Sequence, residues 1–182
     1  MARAKAKVVS SKVIYQGKVF GVRQDHVIEP GGVNATRDVV THHGSVVLVP
    51  VLPGGILLVR QYRHTVGDFL WELPAGRMER GEKPVAAARR ELAEETGYRA
   101  RHFRLLMDVY PTPGFVEERM IVYAASGLTA GKTNFDEDER IETKLFALKT
   151  LLSMIQRRKI HDAKSVAGIL FYERFIHRAR RG

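Results

Sequence analysis

The order of apolar runs along the chain predicts an α/β fold, a mixed sheet covered by helices, with a small β-rich region ahead of it. Three observations carry this expectation. Short Val- and Ile-rich runs separated by glycine and proline fill the first third, one strongly marked helix lies near the middle, and further strand-like runs lead into two closing helical segments.

Residues 8–15, 19–28 and 35–40 read as strands, punctuated by Gly17 and by Pro30, Gly31 and Gly32. Residues 45–52 (SVVLVPVL) and 56–62 (ILLVRQY) flank Pro53, Gly54 and Gly55. That is a hairpin signal, and the unbroken apolar runs predict strands buried on both faces. The central helix opens at Pro84, which suits the first helical position, repeats apolar residues at Val85, Ala88 and Leu92, and stops at Gly97, where a left-handed cap belongs. Strand-like runs follow at 103–110 and 119–125. An acidic stretch, 136–142 (DEDERIE), leads into a run at 143–148, and helical segments occupy about 151–157 and 162–179. The expected division is a β region at 1–43 and a larger domain at 44–182.

Composition narrows the chemistry. The 182 residues include 30 Lys or Arg and 20 Asp or Glu, for a formal charge of +10, and no Cys. One globular domain with a small addition fits this length. Without Cys, disulfides, thiolate metal sites and cysteine nucleophiles are excluded, so any metal must bind oxygen or nitrogen. The basic excess sits mainly at the ends: residues 1–12 and 174–182 each hold four basic residues and no acid. Basic ends usually behave as solvated tails. A start without an apolar signal core, and no apolar run near 18 residues, give the expectation of a cytoplasmic protein with no membrane partner.

The informative segment is residues 73–98, LPAGRMERGEKPVAAARRELAEETGY. Glu91, Glu94 and Glu95 stand at i, i+3 and i+4 of the central helix, so three carboxylates crowd one region of a rigid element. They repel one another and, near the helix C-terminus, oppose its dipole. A cation is therefore expected beside them. Arg89 and Arg90 are the protein candidates, and a divalent metal is the stronger one. Carboxylate ligation selects a hard ion, Mg²⁺ or Mn²⁺, completed by substrate phosphates.

The spacing is more specific than the charge. Gly76, Glu82, Arg90, Glu91, Glu94, Glu95 and Gly97 match GX5EX7REUXEEXGU, the Nudix box; only the last position departs, with Tyr98 in place of an aliphatic residue. Seven fixed identities at about 7% each recur by chance roughly once in a hundred million starts. The chain therefore resembles the Nudix hydrolases, which cleave nucleoside diphosphates linked to another moiety. The resemblance implies an α/β/α sandwich in which the box forms a loop, a helix and a loop. It implies Glu91, Glu95 and the Ala75 carbonyl as metal ligands, with Glu94 close by among the catalytic carboxylates. Gly76, Glu82 and Arg90 would support them, Arg90 and Glu82 by holding the loop to the helix.

Three features outside the box resemble the ADP-ribose pyrophosphatase group. Residues 110–118 (YPTPGFVEE) are similar to that group's SPGxxxE segment, with Glu118 implied to orient the ribose. Arg37 and Arg63 lie in RDVV and RQYR segments similar to those whose arginines contact ligand phosphates or ribose. The N-terminal β region is similar to one that builds a domain-swapped homodimer. By the same resemblance, Glu137 is implied as the general base and Glu139 as a further metal ligand on an acidic loop. Lys18 stands where some relatives carry an adenine-stacking aromatic, with Phe20 or Tyr15 as substitutes. Trp71 is expected to anchor packing. The expected reaction is Mg²⁺-dependent hydrolysis of ADP-ribose, or a related nucleoside diphosphate-sugar, to AMP and ribose 5-phosphate. Competing readings are another Nudix substrate (GDP-mannose, a dinucleoside polyphosphate, NADH or an oxidised nucleoside triphosphate) or an RNA-directed protein using its basic ends.

Overall fold

The computed structural model describes residues 5–131 and 141–180. They fall into two units: one holds the chain up to Gly44 together with Tyr110–Arg119, and the other holds Ser45–Val109 and the chain from Met120 onward.

In the first unit, β1 (Lys7–Gln16), β2 (Gly21–Glu29) and β3 (Val33–Thr41) form an antiparallel sheet in that order. The turn from β2 to β3 uses Gly31 and Gly32, both at positive φ, which a side chain would resist. Strand β1 is exposed along its whole length, Val8, Val9, Val13, Ile14 and Tyr15 included. The segment 110–119 joins this sheet where Val40 donates to the Phe115 carbonyl at 2.8 Å and accepts from Glu117 N–H at 3.0 Å. Arg23 bridges both parts, binding Asp25 at 2.8 Å and Glu117 at 2.7 Å.

The second unit is built on a mixed sheet in the order β10-β5-β4-β9-β8. Its strands are β4 (Ser45–Leu52), β5 (Gly55–Arg63), β8 (Tyr98–Val109), β9 (Met120–Ala130) and β10 (Glu142–Phe146); β6 (Asp68–Glu72) pairs with β5, and β7 (Ala75–Arg77) with β4. The expected hairpin at 53–55 is present, with Val51 opposite Ile56 and Leu52 opposite Gly55. Strand β4 runs parallel to β9 and is buried from Ser45 to Pro50. Alternation of side chains then explains the layers. Val46 and Leu48 pack with Ala87, Ala88 and Leu92 of helix α1 (Pro84–Thr96), while Val47 and Val49 pack with Leu151 of α2 (Leu148–Gln156) and Ile169 of α3 (Ala163–Tyr172). A sheet with helices on both faces is the α/β/α sandwich that the sequence predicts.

Three details differ from the sequence reading. Strands β6 and β7 leave no strand pattern in the sequence, because each is short and Pro74 interrupts the run between them. Strand β8 begins at Tyr98, directly after the helix cap, and carries an extra residue between Leu105 and Met107. The closing helix is not uniform: α3 ends at Tyr172 and continues as a π turn, Glu173–His177, and a 3₁₀ turn, Arg178–Arg180. Trp71 packs against the larger core and meets Phe146 edge-on at 5.0 Å. Among the described residues, no helix is long and apolar enough to cross a membrane.

Candidate active site

Helix α1 starts as expected with Pro84 in its first turn and ends at Gly97, whose φ of 72° places it in the left-handed region and whose N–H caps the Ala93 carbonyl at 2.9 Å. Its buried stripe is Ala87, Ala88, Glu91, Leu92, Glu95 and Thr96. Two carboxylates thus continue a core-facing stripe, with Glu91 9% and Glu95 5% exposed. Buried carboxylates need partners. The partners come from the preceding loop and from one arginine.

Strand β7 lays its backbone against these carboxylates. Ala75 N–H donates to Glu95 Oε2 at 3.0 Å. A Cβ added at Gly76 would stand 1.9 Å from the Glu91 carboxyl carbon and 2.1 Å from each of its oxygens. The glycine of the box is therefore the cradle of Glu91, and any side chain there would occupy the carboxylate's space.

Arg90 is the protein cation. Its Nε and Nη2 bind the two Glu82 oxygens at 3.2 and 3.0 Å, its Nη1 binds Glu91 at 2.7 Å and Glu94 at 3.0 Å, and Nη2 also reaches the Arg77 carbonyl at 3.0 Å. These five contacts match the five N–H donors of a guanidinium, a fork that lysine lacks. Glu82 also accepts from Glu79 N–H at 3.0 Å. The Arg90 hydrogen bond holds Glu82 below the usual carboxylate range, and the same bond raises Arg90 above its ordinary value against the opposing effect of burial. Arg89, the other candidate cation, instead lies over the Phe103 ring at 5.5 Å.

One arginine meets three carboxylates, and Glu95 adds a fourth negative charge. The side chains of Glu91 and Glu95 offer only oxygen donors, which fits a hard divalent cation. Among the described residues, no group of three or more Asp, Glu or His stands together as a complete metal cage. Two carboxylates finished by substrate oxygens is the arrangement Mg²⁺ commonly takes.

A family model described as the NUDIX domain matches residues 41–168 of this chain. The chain belongs to the Nudix family. It is 34% identical over 176 residues to an ADP-ribose pyrophosphatase of Bacillus subtilis (strain 168), covering 95% of each chain. It is 38% identical over 174 residues to an ADP-ribose pyrophosphatase of Mycobacterium tuberculosis, covering 93% of this chain and 84% of that one. A solved structure of an ADP compounds hydrolase superposes with a TM-score of 0.85 over the full length of both chains at 20% identity, a likeness of fold.

A second charged cluster of the Nudix domain was not legible beforehand. Arg63 binds Glu72 in a bidentate pair, both contacts at 2.8 Å, and Lys164 of α3 binds the same carboxylate at 2.5 Å. Lys164 also meets Asp162 at 2.9 Å. Glu72 is 2% exposed. Burial acts to raise its carboxyl, yet the hydrogen bonds and charges of Arg63 and Lys164 more than cancel this and leave it below the usual range. Ser165 accepts from Leu73 N–H at 2.6 Å and caps with Asp162, which takes Ser165 N–H at 3.0 Å. Glu72 could have been noticed as the one acid inside the apolar run 70–74, since such an acid, once buried, requires a cation.

The structure brings together Ala75, Gly76, Glu82, Arg90, Glu91, Glu94 and Glu95. Arg63 lies in the same unit, engaged with Glu72. Arg37 and Glu118 belong to the other unit, where Arg37 binds Glu29 at 2.9 Å and Glu118 lies 3.9 Å from His42. Glu137 and Glu139 lie outside the described residues. At the turn from β1 to β2, Tyr15 and Phe20 pack ring to ring at 5.7 Å.

Proposed function

We propose that this Nudix hydrolase cleaves the pyrophosphate bond of ADP-ribose or a related nucleoside diphosphate-sugar, using Mg²⁺ or Mn²⁺. The observation that carries the reading is the pair Glu91 and Glu95, buried against Ala75 and Gly76 with Arg90 holding the loop to the helix. The length over which the chain matches two ADP-ribose pyrophosphatases supports the substrate class.

Glu91, Glu95 and the Ala75 carbonyl would hold the metal, joined by Glu139; when bound, the ion neutralises phosphate charge. Arg63 and Arg37 take the phosphates, and Glu118 orients the ribose. Glu137 accepts the proton of the attacking water, with Glu94 beside the site. Water adds to one phosphorus, the bridging P–O bond breaks, and AMP and ribose 5-phosphate leave without a covalent enzyme intermediate. The exposed apolar strand β1 supports a homodimer in which this strand is covered.

The test is turnover of a panel with Mg²⁺: ADP-ribose, GDP-mannose, NADH, a dinucleoside polyphosphate and an oxidised nucleoside triphosphate, with phosphate counted after phosphatase treatment. ADP-ribose or another diphosphate-sugar is expected to give the highest kcat/KM. Inactivity on every diphosphate-sugar would remove the reading. Sedimentation of the purified protein should give a dimer mass.

A further inference from the structure

The buried cluster under α3 has a geometry that its structural role alone does not require. Glu72 is shared by two cations that come from sequence positions far apart, Arg63 at the end of β5 and Lys164 in the first turn of α3. Arg63 commits Nε and Nη2 to Glu72, so these contacts leave its Nη1 uncommitted, and its side chain remains 37% exposed. The four charged groups, Arg63, Lys164, Glu72 and Asp162, sum to zero only with Arg63 counted, and Glu95 also acts on Arg63. Without Lys164 the arginine would face two carboxylates alone, and the three groups would sum to −1. The same turn of α3 also fixes Leu73 through Ser165, one residue before Pro74 and two before Ala75.

We infer that Lys164 is a positioning residue for Arg63, acting through Glu72, and that it keeps this guanidinium oriented and electrostatically available to a substrate diphosphate. The inference rests on the reading that Arg63 contacts phosphate. Lys164 itself need not touch the substrate. Its charge offsets one of the two carboxylates, Glu72 and Asp162, so that less of the attraction of Arg63 for a bound anion is spent on neutralising its own holder. A bidentate arginine fixed at one edge presents the rest of its fork with little rotamer entropy left to lose.

The test is steady-state kinetics on ADP-ribose with Lys164→Met, Lys164→Arg, Arg63→Gln and the double variant Lys164→Met with Arg63→Gln. Lys164→Met should raise KM about tenfold while kcat changes by less than about twofold, since charged hydrogen-bond partners are at stake. Lys164→Arg should restore KM to within about threefold of the parent. In the Arg63→Gln background, Lys164→Met should add less than about twofold, because its route runs through the missing guanidinium. Should Lys164→Met fail to fold, Lys164→Gln keeps a donor to Glu72 without the charge and should raise KM in the same manner. If Arg63→Gln leaves KM unchanged, the phosphate reading of Arg63 fails. If Arg63→Gln raises KM but neither Lys164 variant does, or if Lys164→Met acts equally in both backgrounds, the positioning role is overturned.

Discussion

At the scale of single residues, the site depends on a space and a fork. Gly76 provides the space: in Gly76→Ala the new Cβ and the Glu91 carboxylate cannot both stay, so stability should fall by roughly 1–3 kcal/mol and turnover with it. Denaturant unfolding and an activity assay on the same preparation check both. Arg90 provides the fork, and Arg90→Lys should weaken the site although the charge is kept, because three donors on a flexible stem cannot replace five fixed ones. Glu95→Gln should lower turnover by more than the roughly 10- to 100-fold that loss of an outer partner costs a metal site, while circular dichroism and melting stay close to the parent. Retained activity would mean that the metal is held elsewhere. The pH dependence follows from Glu82. Its folded value is depressed by the Arg90 hydrogen bond, so this stabilisation is complete above its unfolded value near 4.3 and is lost as pH falls through the lower folded value. The melting temperature should therefore drop in acid below about pH 4, and Glu82→Gln should lose part of that acid sensitivity.

At the scale of elements, much was legible from local pattern. Pro84 and Gly97 bound α1 within a residue, and the hairpin at 53–55 forms where glycine and proline cluster. The box was legible because its chemistry is confined to 22 consecutive positions, 76–97. What escaped was set by distance along the chain. Lys164 and Glu72 are 92 positions apart, and nothing local to either announces the other. The choice of Arg90 over Arg89 as the carboxylate partner depends on helical phase, since adjacent residues point about 100° apart and only one can face the loop. The π turn after Tyr172 has no composition signal comparable to a proline. Helix α3 also packs unusually close to the sheet: a Cβ on Gly168 would stand 2.7 Å from Leu73 Cδ1 and 3.5 Å from Val49 Cγ2. Leu73 is fully buried, so Gly168→Ala, though favourable for helix propensity, should cost about 1–3 kcal/mol by overpacking, as thermal or denaturant unfolding would register.

At the scale of the whole molecule, an acidic minority in a basic chain pointed to the family to which the chain belongs. Of the five carboxylates assigned to metal binding and proton transfer, Glu91, Glu94 and Glu95 fall on described helix, and Glu137 and Glu139 lie outside the described residues. The layers were legible because β4 alternates its neighbours across both faces; the grouping of residues 110–119 with the N-terminal strands was not, since no composition break marks them. An unfolding midpoint that rises with protein concentration should accompany the proposed dimer, because burial of β1 by a second copy would make stability a function of mass action. A concentration-independent midpoint would count against that assembly.

The extra residue in β8 has a further consequence. Before it, Phe103 pairs with Ala125 and faces the α1 layer; after it, Met107 pairs with Val122 and faces the opposite core. The odd-numbered positions change from one helical layer to the other in the middle of the strand. Its length is thereby constrained more tightly than its composition. An exposed position such as Leu105 can accept many side chains, whereas deleting Leu106 would leave Met107 opposite Val122 but take a buried side chain out of the larger core. Divergence along this strand should proceed by exchange of residues, with insertions and deletions displaced to its ends.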